Sequence, residues 1–216
     1  MLYLQIKFFK VKKDNEPKED KRSLIINTAQ KLFGIYGAEK TTMREIADDL
    51  HLSKASLYYY FPDKENLYRA VLEKEQAEFL KTLEKDIRDN PDPQESLRRY
   101  ALNRLSYFKY LVNLGRIGSG SFSDYQPLIA NSFYALREKE KLLVMEILEK
   151  GKKSGQFIMN DSYDTSSLFL EILRGLRSVF FNNRKSASIN DEEYRELLKR
   201  ITAATDMFIK GLMYRE

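Results

Sequence analysis

The chain has 216 residues, with 37 Lys and Arg against 32 Asp and Glu, one histidine, and no cysteine or tryptophan. Without cysteine, disulfide scaffolds, thiolate zinc sites, iron–sulfur clusters and cysteine nucleophiles are excluded, and the lone His51 argues against His-rich metal sites and a Ser-His-Asp triad. The net charge of +5 permits nucleic acid as a partner, no uncharged apolar run is long enough to span a membrane, and nine glycines with five prolines are about half the usual combined share, which favours an all-α fold over a β-sandwich.

Residues 1–20 read as a flexible leader. Leu2, Leu4, Ile6 and Phe8 alternate with other residues in a weak strand pattern, which DNEPKED then breaks. Two readings stay open: a floppy tail or over-extended start, and a basic arm whose Lys7, Lys10, Lys12 and Lys13 touch DNA phosphates. The segment has no leading positive charge and no small-residue cleavage site, so it lacks a signal peptide's layout and the protein is expected in the cytoplasm.

From Lys21 the pattern is helical. Leu24, Ile25, Thr28, Ala29, Leu32 and Phe33 share a face, and Gly37 follows as a stop. In TTMREIADDL, Thr42 and Glu45 form a capping box, in which the threonine hydroxyl takes a free backbone N–H and the glutamate reaches back to the cap. Ile46, Ala47 and Leu50 face inward. Ser53 caps a short third helix, SKASLYYY, which Pro62 ends at Phe61. Asp63 caps a long fourth helix to about Arg88, with Leu67, Val71, Leu72, Phe79, Leu83 and Ile87 in helical period.

Asn90-Pro91-Asp92-Pro93 punctuates the chain. A fifth helix is expected from about Gln94 to Leu114. The Gly/Ser stretch GRIGSGSFSD reads as a loop, and it lacks the Gly-Lys-Ser/Thr ending of a phosphate loop. A sixth helix is expected from about Pro127 to Lys150, ending at Gly151, with Gly155 in the next turn. Asn160-Asp161-Ser162 reads as helix-capping chemistry, and two last helices run from about Tyr163 to Asn182 and Asp191 to Met213.

Two short helices joined by a tight turn, the second polar and cationic, are the layout of a helix-turn-helix. The second must lie in a major groove about 12 Å wide and offer donors from one face, with Leu57 pointing back into the small core. The stretch Arg22–Leu67 resembles the DNA-binding domain of the TetR family of bacterial transcription regulators. The resembling residues are Arg22, Ile26, Ala29, Leu32-Phe33, Gly37, Thr41-Thr42, Ile46-Ala47, Leu52-Ser53, Leu57-Tyr58, Tyr60-Phe61, Lys64 and Leu67. The rest of the chain resembles that family in architecture, through long helices and the turn LEKGKKSGQF.

The resemblance implies a helix-turn-helix domain over 21–67 and an effector-binding and dimerisation domain over 68–216. It implies that Thr42, Tyr58 and Lys64 contact phosphates. Lys54, Ala55, Ser56 and Tyr59 would lie nearest the bases, with Arg44 approaching from the second helix and Ser53 and Tyr60 flanking them. The chain departs from the family at His51 and Ala55, where glycine is usual or frequent, and at Tyr60, often histidine. The turn position at His51 often needs a positive φ, which histidine tolerates better than most residues. Blander readings stand beside these. Three consecutive tyrosines also fit core plus surface, Lys64 a solvated charge, and Arg44 an i,i+4 pair with Asp48.

Eight aromatic residues fall between Tyr100 and Tyr134. They read as core filling or as an apolar pocket with tyrosine hydroxyls orienting a ligand. Candidate pocket residues are Tyr107, Phe108, Leu111, Phe122, Tyr125, Phe133, Phe169 and Leu173. The last two helices carry apolar faces, and Leu176, Val179, Phe180, Leu197, Ile201, Ala204, Phe208 and Leu212 are the candidate dimer interface. The expected protein is a non-enzymatic homodimeric regulator with no cofactor, metal or membrane partner. It would bind a palindromic double-stranded operator and be released by a small apolar or aromatic effector. The alternative is a TetR-like DNA-binding protein without such an effector, controlled by a protein partner or organising the chromosome.

Overall fold

The structure, a computed structural model, describes residues 20–113, 126–182 and 189–213. The leader up to residue 19 and the Gly/Ser stretch lie outside the described residues. Among those described, the secondary structure is helical: α1 (Lys21–Tyr36), α2 (Met43–Asp49), α3 (Lys54–Tyr60), α4 (Lys64–Asp89), α5 (Pro93–Asn113), α6 (Gln126–Lys153), α7 (Ser162–Asn182) and α8 (Asp191–Met213). None is long and apolar enough to cross a membrane.

Helix boundaries follow side-chain chemistry. Gly37 leaves α1 at φ 83°, and its amide donates to the Phe33 carbonyl at 3.1 Å. Asp161 accepts from the amides of Tyr163 and Asp164 at 2.7 and 2.8 Å, so the capping expected around Asn160–Ser162 is carried by its aspartate. Asn190 and Glu193 form a reciprocal cap on α8.

One boundary differs from expectation. Gly151 does not end α6, which continues to Lys153 and turns at Gly155, φ 72°. Gly151 is buried inside the last turn, where an added Cβ would stand 2.0 Å from the Phe157 ring. Its role is close approach, and the stop belongs to the second glycine.

Two hydrophobic cores form. The N-terminal one gathers Ile25, Ala29 and Phe33 of α1, Ile46 and Ala47 of α2, Leu57 of α3, and Leu67, Tyr68, Val71 and Leu72 of α4. The larger one begins at Phe79 on α4 and joins α5, α6, α7 and α8 through residues such as Leu97, Leu105, Val144, Phe169 and Ile201. By packing, the junction lies inside α4 between Leu72 and Phe79, beyond the boundary expected at 67. At that junction one turn of α4 reaches three other helices. Lys74 donates to Asn27 and to Gln30 of α1, and Gln30 donates to Glu75. Tyr110 of α5 also donates to Glu75, and Ser132 of α6 donates to Gln76. Phe133 of α6 packs against both cores.

Candidate nucleic-acid interface

The interface is built from three capped helix starts. At α2 the capping box closes in full: the Glu45 amide donates to the Thr42 hydroxyl at 3.2 Å, and the Thr42 amide donates to Glu45 Oε2 at 2.7 Å. The Thr42 amide and then its hydroxyl hold the Glu45 carboxyl below the usual range. At α3 the Ser56 amide donates to Ser53 Oγ at 3.1 Å, and the two serine hydroxyls pair at 2.8 Å. At α4 the Asn66 amide donates to Asp63 at 2.7 Å.

The turn between α2 and α3 runs through His51 at φ 52°, a position where only glycine is free of strain. The Leu52 amide donates to the Ala47 carbonyl at 2.9 Å and closes the turn. Leu57 is the one buried residue of α3 and packs on Ile46 and Ala47. Burying such a side chain stabilises by about 2 kcal/mol, enough to hold a seven-residue helix in place but not to form it alone.

The opposite face of α3 is open. Lys54, Ala55, Ser56 and Tyr58 are exposed, and Tyr59 is 84% exposed. A tyrosine held in water on a capped helix exposes a large amphipathic surface, as contact surfaces do. The Lys54 ammonium stands 5.6 Å from the Tyr58 ring centroid. Lys21 of α1 joins Ala55, Ser56 and Tyr59 around a shallow hollow. Tyr60 is half-buried against the N-terminal core, its ring edge-on to Tyr59 at 5.3 Å. Arg44 is exposed and pairs with Asp48 at 3.7 Å, a surface i,i+4 contact of little weight. Asp48 and Asp49 line a separate hollow with Ile35 and Tyr36 at the end of α1.

Lys64 does something that sequence reading missed. Its ammonium donates to the Glu39 and Thr41 carbonyls, both at 3.2 Å, and so ties the α1–α2 loop to the start of α4. Two of its three N–H groups are thereby engaged.

In the larger domain, Tyr107, Phe108, Leu111, Phe169 and Leu173 meet in the core, and Phe133 is half-buried beside them. Phe122 and Tyr125 lie outside the described residues. A buried polar set accompanies the aromatics: Arg104, Glu140 and Arg177. Arg104 pairs with Glu140 at 2.6 Å, and the Tyr100 hydroxyl donates to the same carboxylate oxygen at 2.9 Å. Burial, with repulsion from Arg104 added, pulls the Arg177 guanidinium down to about 9, so it is still cationic at neutral pH. Burial, then Glu75, raises the Tyr107 hydroxyl. A signal for these residues exists in the sequence. Arg104 lies three residues from Ala101 and four from Phe108, Glu140 four from Leu136 and Val144, and Arg177 four from Leu173, all positions of an apolar stripe.

The residues of the expected dimer face differ in exposure. Leu197, Ile201 and Leu212 are buried within the subunit, because the stronger apolar face of α8 packs on α5. Leu176, Phe180, Ala204 and Phe208 are half-buried, and Val179 is exposed. The apolar surface left outside runs along Leu168, Gly175 and Val179 of α7 and Ala203, Met207 and Gly211 of α8.

A capped two-helix unit with an open polar and aromatic second helix, seated on a larger helical domain, defines a helix-turn-helix DNA-binding regulator. Residues 25–71 match the bacterial regulatory proteins of the tetR family, and residues 80–213 match the C-terminal region of QacR-like proteins. A transcriptional regulator from Cytophaga hutchinsonii is 35% identical, covering 90% of this chain and 99% of that one, with a TM-score of 0.80. The HTH-type transcriptional regulator YuxN of Bacillus subtilis is 44% identical over 54 residues, 25% of this chain and 19% of that protein's length. The nucleoid occlusion factor SlmA of Yersinia pseudotuberculosis is 22% identical over 170 residues, 78% of this chain and 86% of that protein. The chain belongs to the TetR family of transcription regulators.

Proposed function

We propose that this regulator acts as a homodimeric repressor, bound to a palindromic operator and released when a small effector enters the larger domain. The observation that carries the reading is the pairing of two features on one rod. The open face of α3 belongs to a domain whose core includes the first half of α4, and the second half of α4 lies in the effector core. A rearrangement among α5, α6 and α7 is thus felt at the start of α4, where Lys64 holds the loop carrying Thr42. Effector and DNA then weaken each other reciprocally. Two recognition helices about 34 Å apart read a palindrome on one duplex face.

Lys54, Ala55, Ser56 and Tyr59 read bases, with Arg44 beside them. Thr42, Ser53, Tyr58, Tyr60 and the free donor of Lys64 fix register on phosphates. Footprinting upstream of the chain's own and neighbouring genes is expected to protect a palindrome. Tyr59→Ala and Lys54→Ala are expected to change the ranking of operator variants, and Lys64→Ala to weaken all duplexes alike. Uniform weakening by Tyr59→Ala and Lys54→Ala would remove them from base reading. The alternative, control by a protein partner without a small effector, draws on the likeness to the nucleoid occlusion factor SlmA. Protection at many dispersed chromosomal sites, with no ligand-dependent release, would favour it.

A further inference from the structure

Among the described residues of the larger domain and its junction, several buried hydrogen-bond donors have no hydrogen-bond partner. Arg104 reaches Glu140 through Nε, but its Nη1 is buried without a partner. The Tyr107 hydroxyl and Gln76 Nε2 are also buried without partners, although Gln76 Oε1 accepts from Ser132. Arg177 is 8% exposed and lies 5.7 Å from the Phe108 ring centroid, with no carboxylate in ion-pair distance among the described residues. Arg104, Tyr107 and Arg177 are neighbours. The Arg104 guanidinium carbon stands 5.8 Å from both the Phe79 and Tyr107 ring centroids, and those two rings stack at 4.1 Å. Arg104 and Arg177 are near enough to repel each other.

A buried guanidinium without an anion is among the most costly features a core can hold, and a buried donor without an acceptor adds to that cost. Glu140 already serves Arg104 and Tyr100 through one oxygen. Glu75, the carboxylate nearest Tyr107, accepts from Gln30 and Tyr110 at the domain junction. What Arg177 lacks is a carboxylate in direct contact, in apolar surroundings formed by Phe108, Phe169 and Leu173.

Resting on the effector reading above, we propose that the effector is a monocarboxylic acid with an alkyl or aryl body. Its carboxylate is held between Arg177 and Arg104, with Tyr107 and Gln76 as further donors. A single guanidinium without a contacting carboxylate matches a monoanion, and its planar fork matches a carboxylate in a two-point contact. The phenyl and aliphatic walls take the body.

The test uses the full chain and calorimetric titration with octanoate and 4-phenylbutyrate, each beside its primary amide. At least one carboxylate is expected to bind roughly tenfold or more tightly than its amide. Arg177→Met is expected to remove that preference and to raise the melting temperature of the ligand-free protein, since it deletes a charge the empty core leaves unpaired. Tyr107→Phe, which removes one hydroxyl and keeps the ring, is expected to weaken the carboxylate several-fold. Equal binding of acid and amide, no binding of either acid, or an Arg177→Met protein that keeps the preference would each overturn the proposal. So would a fall in melting temperature for Arg177→Met, which would make Arg177 a structural strut. Operator release separates the two readings. Carboxylate binding without release defeats effector control and leaves the anion site standing, whereas release by the amide alone defeats the anion site and leaves effector control.

Discussion

His51 stands at φ 52° in the turn that sets the angle between α2 and α3. There a Cβ crowds the following carbonyl, at a cost of about 1–2 kcal/mol relative to the right-handed region. Glycine would relieve this but is freer in the unfolded chain, so His51→Gly is expected to stabilise by up to about 1 kcal/mol. His51→Val is expected to destabilise by more than about 1 kcal/mol, because a β-branched side chain tolerates this region least. Urea unfolding midpoints of the full chain measure both. A glycine variant with a lower midpoint would mean that the imidazole makes a compensating contact. The single histidine thus serves backbone geometry, a role legible in the sequence from its place between two helical patterns.

At the scale of the element, helix ends were readable because caps are local. Thr42 with Glu45, Ser53 and Asp63 act within three residues of themselves, and the structure keeps each of these bonds. Gly151 was misread for the complementary reason: its constraint is set by Phe157, which arrives from the following segment. Gly151→Ala is expected to destabilise the larger domain by about 1–3 kcal/mol, since the ring is buried and has no free direction in which to retreat. Thermal unfolding is the check, and an unchanged transition would mean that Phe157 repacks without loss. Arg104, Glu140 and Arg177 escaped for another reason. A charged side chain reads as surface unless its place in the apolar stripe outweighs its type, and nothing local says that partners from three helices converge.

At the scale of the molecule, two apolar faces compete on α8. Period locates both but does not say which faces inward. The structure gives the stronger one to α5 and leaves Met207, 74% exposed, and Val179 of α7, 58% exposed, on the outside. Leu168, Gly175, Ala203 and Gly211 are exposed on the same two helices, and the small ones among them would let a second copy approach closely. Val179→Asp combined with Met207→Asp is expected to give a folded monomer in sedimentation. Its affinity for a palindrome is expected to fall by roughly a hundredfold or more, because two half-sites no longer act together. A stable double-variant dimer would place the interface elsewhere.

The start of α2 arrives with its own anion. The Glu45 carboxylate already accepts the Thr42 amide and hydroxyl, and Lys64 already serves two carbonyls. A phosphate docking at this edge would exchange partners at Thr42 and meet the third donor of Lys64, so its gain would be smaller than at an uncommitted helix start. On α3 the Ser56 hydroxyl must likewise leave Ser53 to meet a base, whereas exposed Lys54 and Tyr59 carry no such internal hydrogen bond among the described residues.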